Sequence, residues 1–97
     1  MKRGGHVYIM TNKRYGVLYI GVTADLIARV AQHRDGKGGA FTAKYRCTQL
    51  VHVEEFATIE EAIAREKAMK AWKREWKIEV IEKQNPSWDD LYFKLLA

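Results

Sequence analysis

The sequence predicts a small α/β chain of the α+β type, with a three-stranded antiparallel sheet flanked by helices. Three observations predict it. Two short apolar runs, His6-Val7-Tyr8-Ile9-Met10 and Val17-Leu18-Tyr19-Ile20-Gly21-Val22, flank the polar, glycine-ended break Asn12-Lys13-Arg14-Tyr15-Gly16, which is a hairpin pattern. From Gln49 to Phe56, Val51 and Val53 alternate with His52 and Glu54, which marks a third strand. The intervening and following stretches carry helix caps and helical periodicity.

With a loop of residues 12 to 15, the hairpin register sets Tyr8 opposite Tyr19 on one face. An unsatisfied buried phenol costs about 1–3 kcal/mol in desolvation, so paired phenols point to a solvated groove or a polar site. Thr23 is an N-cap for a helix from Ala24 to Arg34, stopped by Asp35-Gly36. On it Leu26, Arg29, Val30 and His33 share one arc of about 100°, so two polar side chains lie in the stripe that packs on the sheet. The glycine-rich, basic segment from Lys37 to Tyr45 reads as a flexible connector, with Lys44 as its one candidate phosphate contact. Thr58 and Glu61 form a capping box that opens a long helix.

On that helix Glu66 points within about 60° of the stripe made by Ile59, Ala62, Ile63 and Met69. Two readings stand. Glu66 either bends outward to pair with Lys70 at i+4, or meets a metal ion or a positive side chain at the sheet edge. Trp72 and Trp76, also at i and i+4, are assigned to the core rather than to base stacking. Residues 77 to 83 are helix or strand, and Asn85-Pro86 is the cap and first position of a last short helix through Trp88, Leu91 and Leu95.

Ninety-seven residues, 47% of them hydrophobic, allow one domain over residues 1–97 with a modest core and exclude a second catalytic or recognition domain. The lone Cys47 excludes an internal disulfide and a cysteine-rich zinc site, fits a reducing compartment and is given no catalytic role. The start Met1-Lys2-Arg3-Gly4-Gly5 is charged, but the apolar stretch after it is too short for a secretory or membrane segment, so a soluble cytoplasmic protein is expected. A net charge of +5 makes a polyanionic partner plausible without choosing DNA, RNA or an anionic surface. The basic residues bunch at Lys67, Lys70, Lys73, Arg74 and Lys77, and at Arg29, Arg34, Lys37, Lys44 and Arg46.

Tyr8, Tyr19-Ile20-Gly21, Arg29 and Glu66, in this order and spacing, resemble the GIY-YIG nuclease superfamily, in particular its small stand-alone members, which look like the catalytic domain of the excision-repair nuclease subunit. The resemblance spans nearly the whole chain. Val7-Tyr8-Ile9 stands in the first motif, with His6 where its glycine usually is, and Tyr19-Ile20-Gly21 is a literal second motif. It implies the antiparallel sheet flanked by helices, and hydrolysis of a phosphodiester in DNA, or RNA, with one divalent cation, Mg²⁺ or Mn²⁺.

The implied roles follow the matched positions. Glu66 is the metal ligand and Arg29 the phosphate clamp; His33 is a proton relay, a phosphate contact or a satisfied buried histidine. Tyr8 or Tyr19 is the base or positions the water, with Arg29, the metal and the basic surroundings expected to favour phenolate. Arg29, Lys44, Lys70 and Lys73 are the nucleic-acid contacts. Asn85 is a possible match to a late family asparagine. Tyr15 and Tyr45 are left as ordinary loop residues. Specificity is expected from DNA structure, such as branches, flaps or single strands, or from a partner protein. The competing readings are a binding module that keeps the fold without turnover, and an interaction subunit that docks through an exposed tryptophan.

Overall fold

The computed structural model describes residues 4–97. Met1, Lys2 and Arg3 of the charged start lie outside the described residues. Strands β1 (Gly5–Thr11), β2 (Leu18–Thr23) and β3 (Gln49–Phe56) form one antiparallel sheet in the order β2-β1-β3. Between β2 and β3 come α1 (Leu26–Arg34) and α2 (Ala40–Tyr45), and after β3 come α3 (Ile59–Lys70), α4 (Arg74–Gln84) and α5 (Tyr92–Leu95). Among the described residues no helix is long and apolar enough to cross a membrane.

The run Val7-Tyr8-Ile9-Met10 is continuously apolar because β1 is the central strand and both its faces are covered. Val7 and Ile9 join Ile20, Val51, Ala62, Met69 and Ile81 on the face that carries α3 and α4. Tyr8 and Met10 join Leu26, Val30, Cys47 and Leu50 on the face that carries α1. At about 25 cal/mol per Å² of apolar area removed from water, these two clusters are the main favourable term in folding.

The hairpin register differs from the sequence expectation by two residues. Thr11 pairs with Leu18, Met10 with Tyr19 and Tyr8 with Gly21, so Tyr8 is not directly opposite Tyr19. The reason lies in the connection. Asn12 Oδ1 accepts from Val17 N at 2.9 Å, Gly16 N donates to Lys13 O at 2.9 Å, and the Arg74 guanidinium of α4 donates to both Tyr15 O and Gly16 O at 2.7 Å. A slip of two preserves the face, so the two phenols still share one side of the sheet, with ring centroids 6.3 Å apart.

Four further expectations are corrected. The first helix starts at Leu26 with Asp25 as its N-cap, its side chain accepting from Ala28 N, while Thr23 forms a small turn by accepting from Asp25 N at 3.0 Å. Residues 40–45 of the expected connector are the helix α2. Residues 71–73 break the chain between α3 and α4, and this turn points Trp76 outward, so it is 52% exposed rather than core; Trp72 is half-buried. Asn85-Pro86 does not open a helix.

The Asn85 amide is instead spent on backbone. Its Nδ2 donates to Val51 O at 3.1 Å and Asp89 O at 2.8 Å, and its Oδ1 accepts from Asp89 N at 3.0 Å. Gln84 acts beside it, accepting from Val53 N at 3.0 Å and donating to Val53 O at 2.8 Å. Leu50 is held likewise, its N donating to Asp90 Oδ1 at 3.2 Å and its O accepting from Leu91 N at 2.7 Å. The segment 84–91 thus lies along β3 and satisfies backbone groups that β1 does not reach. Thr58 caps α3 as the sequence predicts, accepting from Glu61 N at 3.2 Å.

Candidate functional site

The cross-strand pair Tyr8–Gly21 builds the centre of the site. A side chain at Gly21 would occupy the space of the Tyr8 phenol, so only glycine lets that ring lie across β2. The phenol reaches α1, where its oxygen is 2.9 Å from His33 Nε2. His33 is fully buried, and its Nδ1 is 3.0 Å from Thr42 Oγ1 of α2. Thr42 in turn donates to Gly39 O at 3.4 Å. With that hydroxyl proton committed, the network is satisfied when His33 donates from Nδ1 and accepts the Tyr8 proton at Nε2.

Burial and charge fix the protonation states. The His33 pKa falls to about 4, first through burial and then through the Arg29 guanidinium, so the imidazole is neutral at pH 7. The Tyr8 pKa is pushed up to about 12, first by burial and then by Tyr19, and Arg29 offsets this only in part. Arg29 favours phenolate as expected, but burial is the larger effect at Tyr8. Tyr8 is therefore a neutral donor.

Arg29 is half-buried on α1, one turn before His33. Its guanidinium donates to Gln32 Oε1 and to Gly38 O, both at 2.8 Å. Burial alone would lower the Arg29 pKa, but the neighbouring phenols Tyr8 and Tyr19 raise it and win. Gly38 is needed here because a side chain on it would collide with the His33 ring, against which the loop folds to present its carbonyl to Arg29. Tyr19 is half-buried, closer to solvent than Tyr8, with its ring 5.3 Å from that of His33.

Glu66 stands on α3, across the sheet from α1, yet its charge is felt at the Tyr8 phenol. Its Oε2 pairs with Lys70 Nζ at 3.2 Å, and its side chain is 14% exposed. The i+4 pairing with Lys70 that the sequence offered as one reading forms, while the carboxylate remains within electrostatic reach of Tyr8. Among the described residues no three His, Cys, Asp or Glu side chains cluster to hold a metal. A lone carboxylate fits a hard cation such as Mg²⁺, which takes one or two protein carboxylates and keeps several waters.

The structure therefore brings Tyr8, Tyr19, Arg29 and His33 together, with Glu66 near. His33 is buried, with both ring nitrogens engaged, by Tyr8 and by Thr42. Lys44 is exposed on α2, its Nζ 5.3 Å from the Tyr45 ring centroid. Lys70 is engaged by Glu66, and Lys73 sits at the start of α4 beside Trp76. Asn85 is committed to backbone, as described above. A cavity of about 430 Å³ lined by Trp72, Trp76, Glu79, Val80 and Lys83 contains none of the tyrosine-site residues.

Sequence reasoning missed Thr42, Gln32 and Gly38, which orient His33 and Arg29. For Gly38 and Thr42 the signal is the Gly-Gly pair ahead of a threonine in the segment read as a connector, since paired glycines mark a close backbone approach.

Two predictions arise here. Gly21→Ala is expected to displace the Tyr8 ring and break its bond to His33, costing about 1–3 kcal/mol of stability as an overpacked site, which urea denaturation would measure. Stability is also expected to depend on pH through His33. Its folded pKa, about 4, lies below its ordinary value of about 6.5, so the unfolded chain binds protons first. The contribution is complete above about pH 6.5 and is lost as the pH falls toward 4; His33→Gln should flatten that part of the profile.

Comparison with known proteins matches this chain over residues 4–79 to the GIY-YIG catalytic domain. A UPF0213 protein of Staphylococcus epidermidis is 39% identical over 67 residues, covering 69% of this chain and 82% of the relative. The UPF0213 protein YazA of Bacillus subtilis is 33% identical over 94 residues, covering 97% of this chain and 95% of the relative. The solution NMR structure of a UPF0213 protein from Bacillus halodurans superimposes with a TM-score of 0.57 at 29% identity, covering 90% of this chain and 92% of that one. It has the same small sheet with flanking helices. The matched range takes in both hairpin strands with their tyrosines, and the chain, which is similar to the UPF0213 proteins, is a member of the GIY-YIG catalytic-domain family.

Proposed function

We propose that this protein is a divalent-metal-dependent endonuclease that hydrolyses phosphodiester bonds in DNA, selecting its target by DNA structure or through a partner protein. The observation that carries this reading is the Tyr8–His33–Thr42 chain beside Arg29, with the Glu66 carboxylate in reach. A largely buried carboxylate within electrostatic reach of Tyr8 suits a metal-using site better than an inert binding module.

Arg29 binds the scissile phosphate and stabilises the charge that develops on it. Tyr19, the more exposed phenol, donates to a phosphate oxygen beside Arg29. Tyr8 is the phenol whose own proton has somewhere to go. As the attacking water gives its proton to the Tyr8 oxygen, Tyr8 passes its proton to His33 Nε2, so no free phenolate is needed despite a pKa of about 12. Thr42 holds the imidazole in the accepting tautomer. The new O–P bond forms as the leaving oxygen departs, and that oxygen takes a proton from solvent. Glu66 would hold the metal ion, which when bound supplies Lewis-acid stabilisation of the phosphate charge.

The test is cleavage of end-labelled duplex, single-stranded, flap and branched DNA with Mg²⁺, with Mn²⁺ and with EDTA. Cutting of one structure that requires metal supports the reading. Absence of metal-dependent cutting from every substrate overturns it in favour of a binding module.

A further inference from the structure

Helix α2 leaves two large rings in solvent beside the site. Phe41 and Tyr45 are one helical turn apart, 45% and 40% exposed, with centroids 4.9 Å from each other. Phe41 lies 6.1 Å from Tyr19, and Tyr19 lies 6.3 Å from Tyr8. The four rings form an unbroken run from the buried centre of the site to its outer rim. The fold does not require the outer two in its core, because Thr42 is the residue by which α2 is buried. Adjacent exposed rings beside a functional groove mark a contact surface.

The charge around them names the partner. From residue 36 to residue 53 there is no Asp or Glu, while Lys37, Lys44 and Arg46 are all exposed. The exposed aromatic at Trp76 differs, since the cavity there has Glu79 in its wall and Glu75 beside it in sequence. Aromatic faces on a segment whose only charged side chains are cations suit a nucleic-acid strand, whose bases stack and whose phosphates pair with the cations.

We propose that Phe41 and Tyr45 are a stacking platform for unpaired bases of the strand held at Tyr19 and Arg29, so that α2 makes the protein prefer single-stranded or flap DNA over closed duplex. This rests on the nuclease reading for where the strand lies. A paired base has both faces covered by its neighbours, whereas an unpaired base offers a free face. Lys44 and Arg46 would contact the flanking phosphates irrespective of pairing, so the rings rather than the cations supply the discrimination.

Binding of a labelled single-stranded oligonucleotide and of a blunt duplex of the same sequence, measured by anisotropy in EDTA, tests the platform without asking for catalysis. The unaltered protein should bind the single strand more tightly. Phe41→Ala and Tyr45→Ala should each raise the single-strand Kd by roughly 5- to 150-fold and the duplex Kd by less than about twofold, with the salt dependence unchanged. Phe41→Trp should restore affinity, and circular dichroism checks that each variant is folded.

Equal losses on both substrates, no loss on either, or no single-strand preference in the unaltered protein would overturn the platform. So would a concentration-dependent dimer abolished by Phe41→Ala with oligonucleotide binding intact, which would assign the rings to a second copy of the chain. Ring-dependent binding in a protein that never cuts would retain the platform and reject the nuclease; metal-dependent cutting with ring-independent binding would do the reverse.

Discussion

Glu66→Ala is expected to abolish metal-dependent cleavage while leaving the fold in place. The stability change should be small, because Lys70 at i+4 is largely solvent-exposed and such helical pairs contribute about 0.2–0.5 kcal/mol. The rate should fall on the order of 10³-fold or more, since a metal's stabilisation of transition-state charge amounts to several kcal/mol. DNA affinity in EDTA should move the other way. Removing the carboxylate frees the Lys70 ammonium and takes a negative charge from beside the phosphate, so binding should hold or tighten. Single-turnover cleavage and metal-free binding on one preparation separate these effects. A variant that cuts at the unaltered rate would remove Glu66 from the metal role.

Arg29→Ala is expected to slow cleavage by about 10²- to 10³-fold, the cost of losing one preorganised donor to a developing oxyanion. Arg29→Lys should recover little, because an ammonium lacks the planar fork that binds a phosphate through two parallel bonds while the other groups reach Gln32 and Gly38. The same substitution should report on its neighbours. Arg29 helps depress the His33 pKa, so in Arg29→Ala the His33 titration followed by NMR should move upward from about 4, while the Tyr8 pKa should rise further. An unchanged His33 titration would mean that burial alone sets it, and that Arg29 does not shape the relay.

The strands were legible in the sequence, because β1 and β3 follow patterns that burial on two faces and on alternating faces imposes. The helical stripe of Leu26, Arg29, Val30 and His33 was legible for the same reason, and it brings Arg29 and His33 to the tyrosine face. What escaped depends on distant partners. The hairpin loop is two residues longer than expected because Asn12 ties its inside and Arg74, some sixty residues on, ties its outside. Helix α2 is short and follows glycines, so local propensity reads as loop; its anchor is Thr42 on His33. Trp72 and Trp76 share a spacing with any packed pair, and the turn at 71–73 that separates their fates has no strong breaker. For Tyr8, the sequence shows the cations but not the burial that outweighs them.

The backbone bonds that Gln84, Asn85, Asp90 and Leu91 make along β3 have a consequence for the protein's behaviour in the crowded state. These side chains and one amide stand where a fourth strand would over Leu50 to Val53, so that stretch of β3 is closed to another chain that would extend the sheet. The match to the GIY-YIG catalytic domain ends at residue 79, before any of them. The residues that follow the shared domain therefore act as a built-in stopper. A chain shortened to that boundary would keep every tyrosine-site residue and lose its protection against joining edge to edge with its own copies.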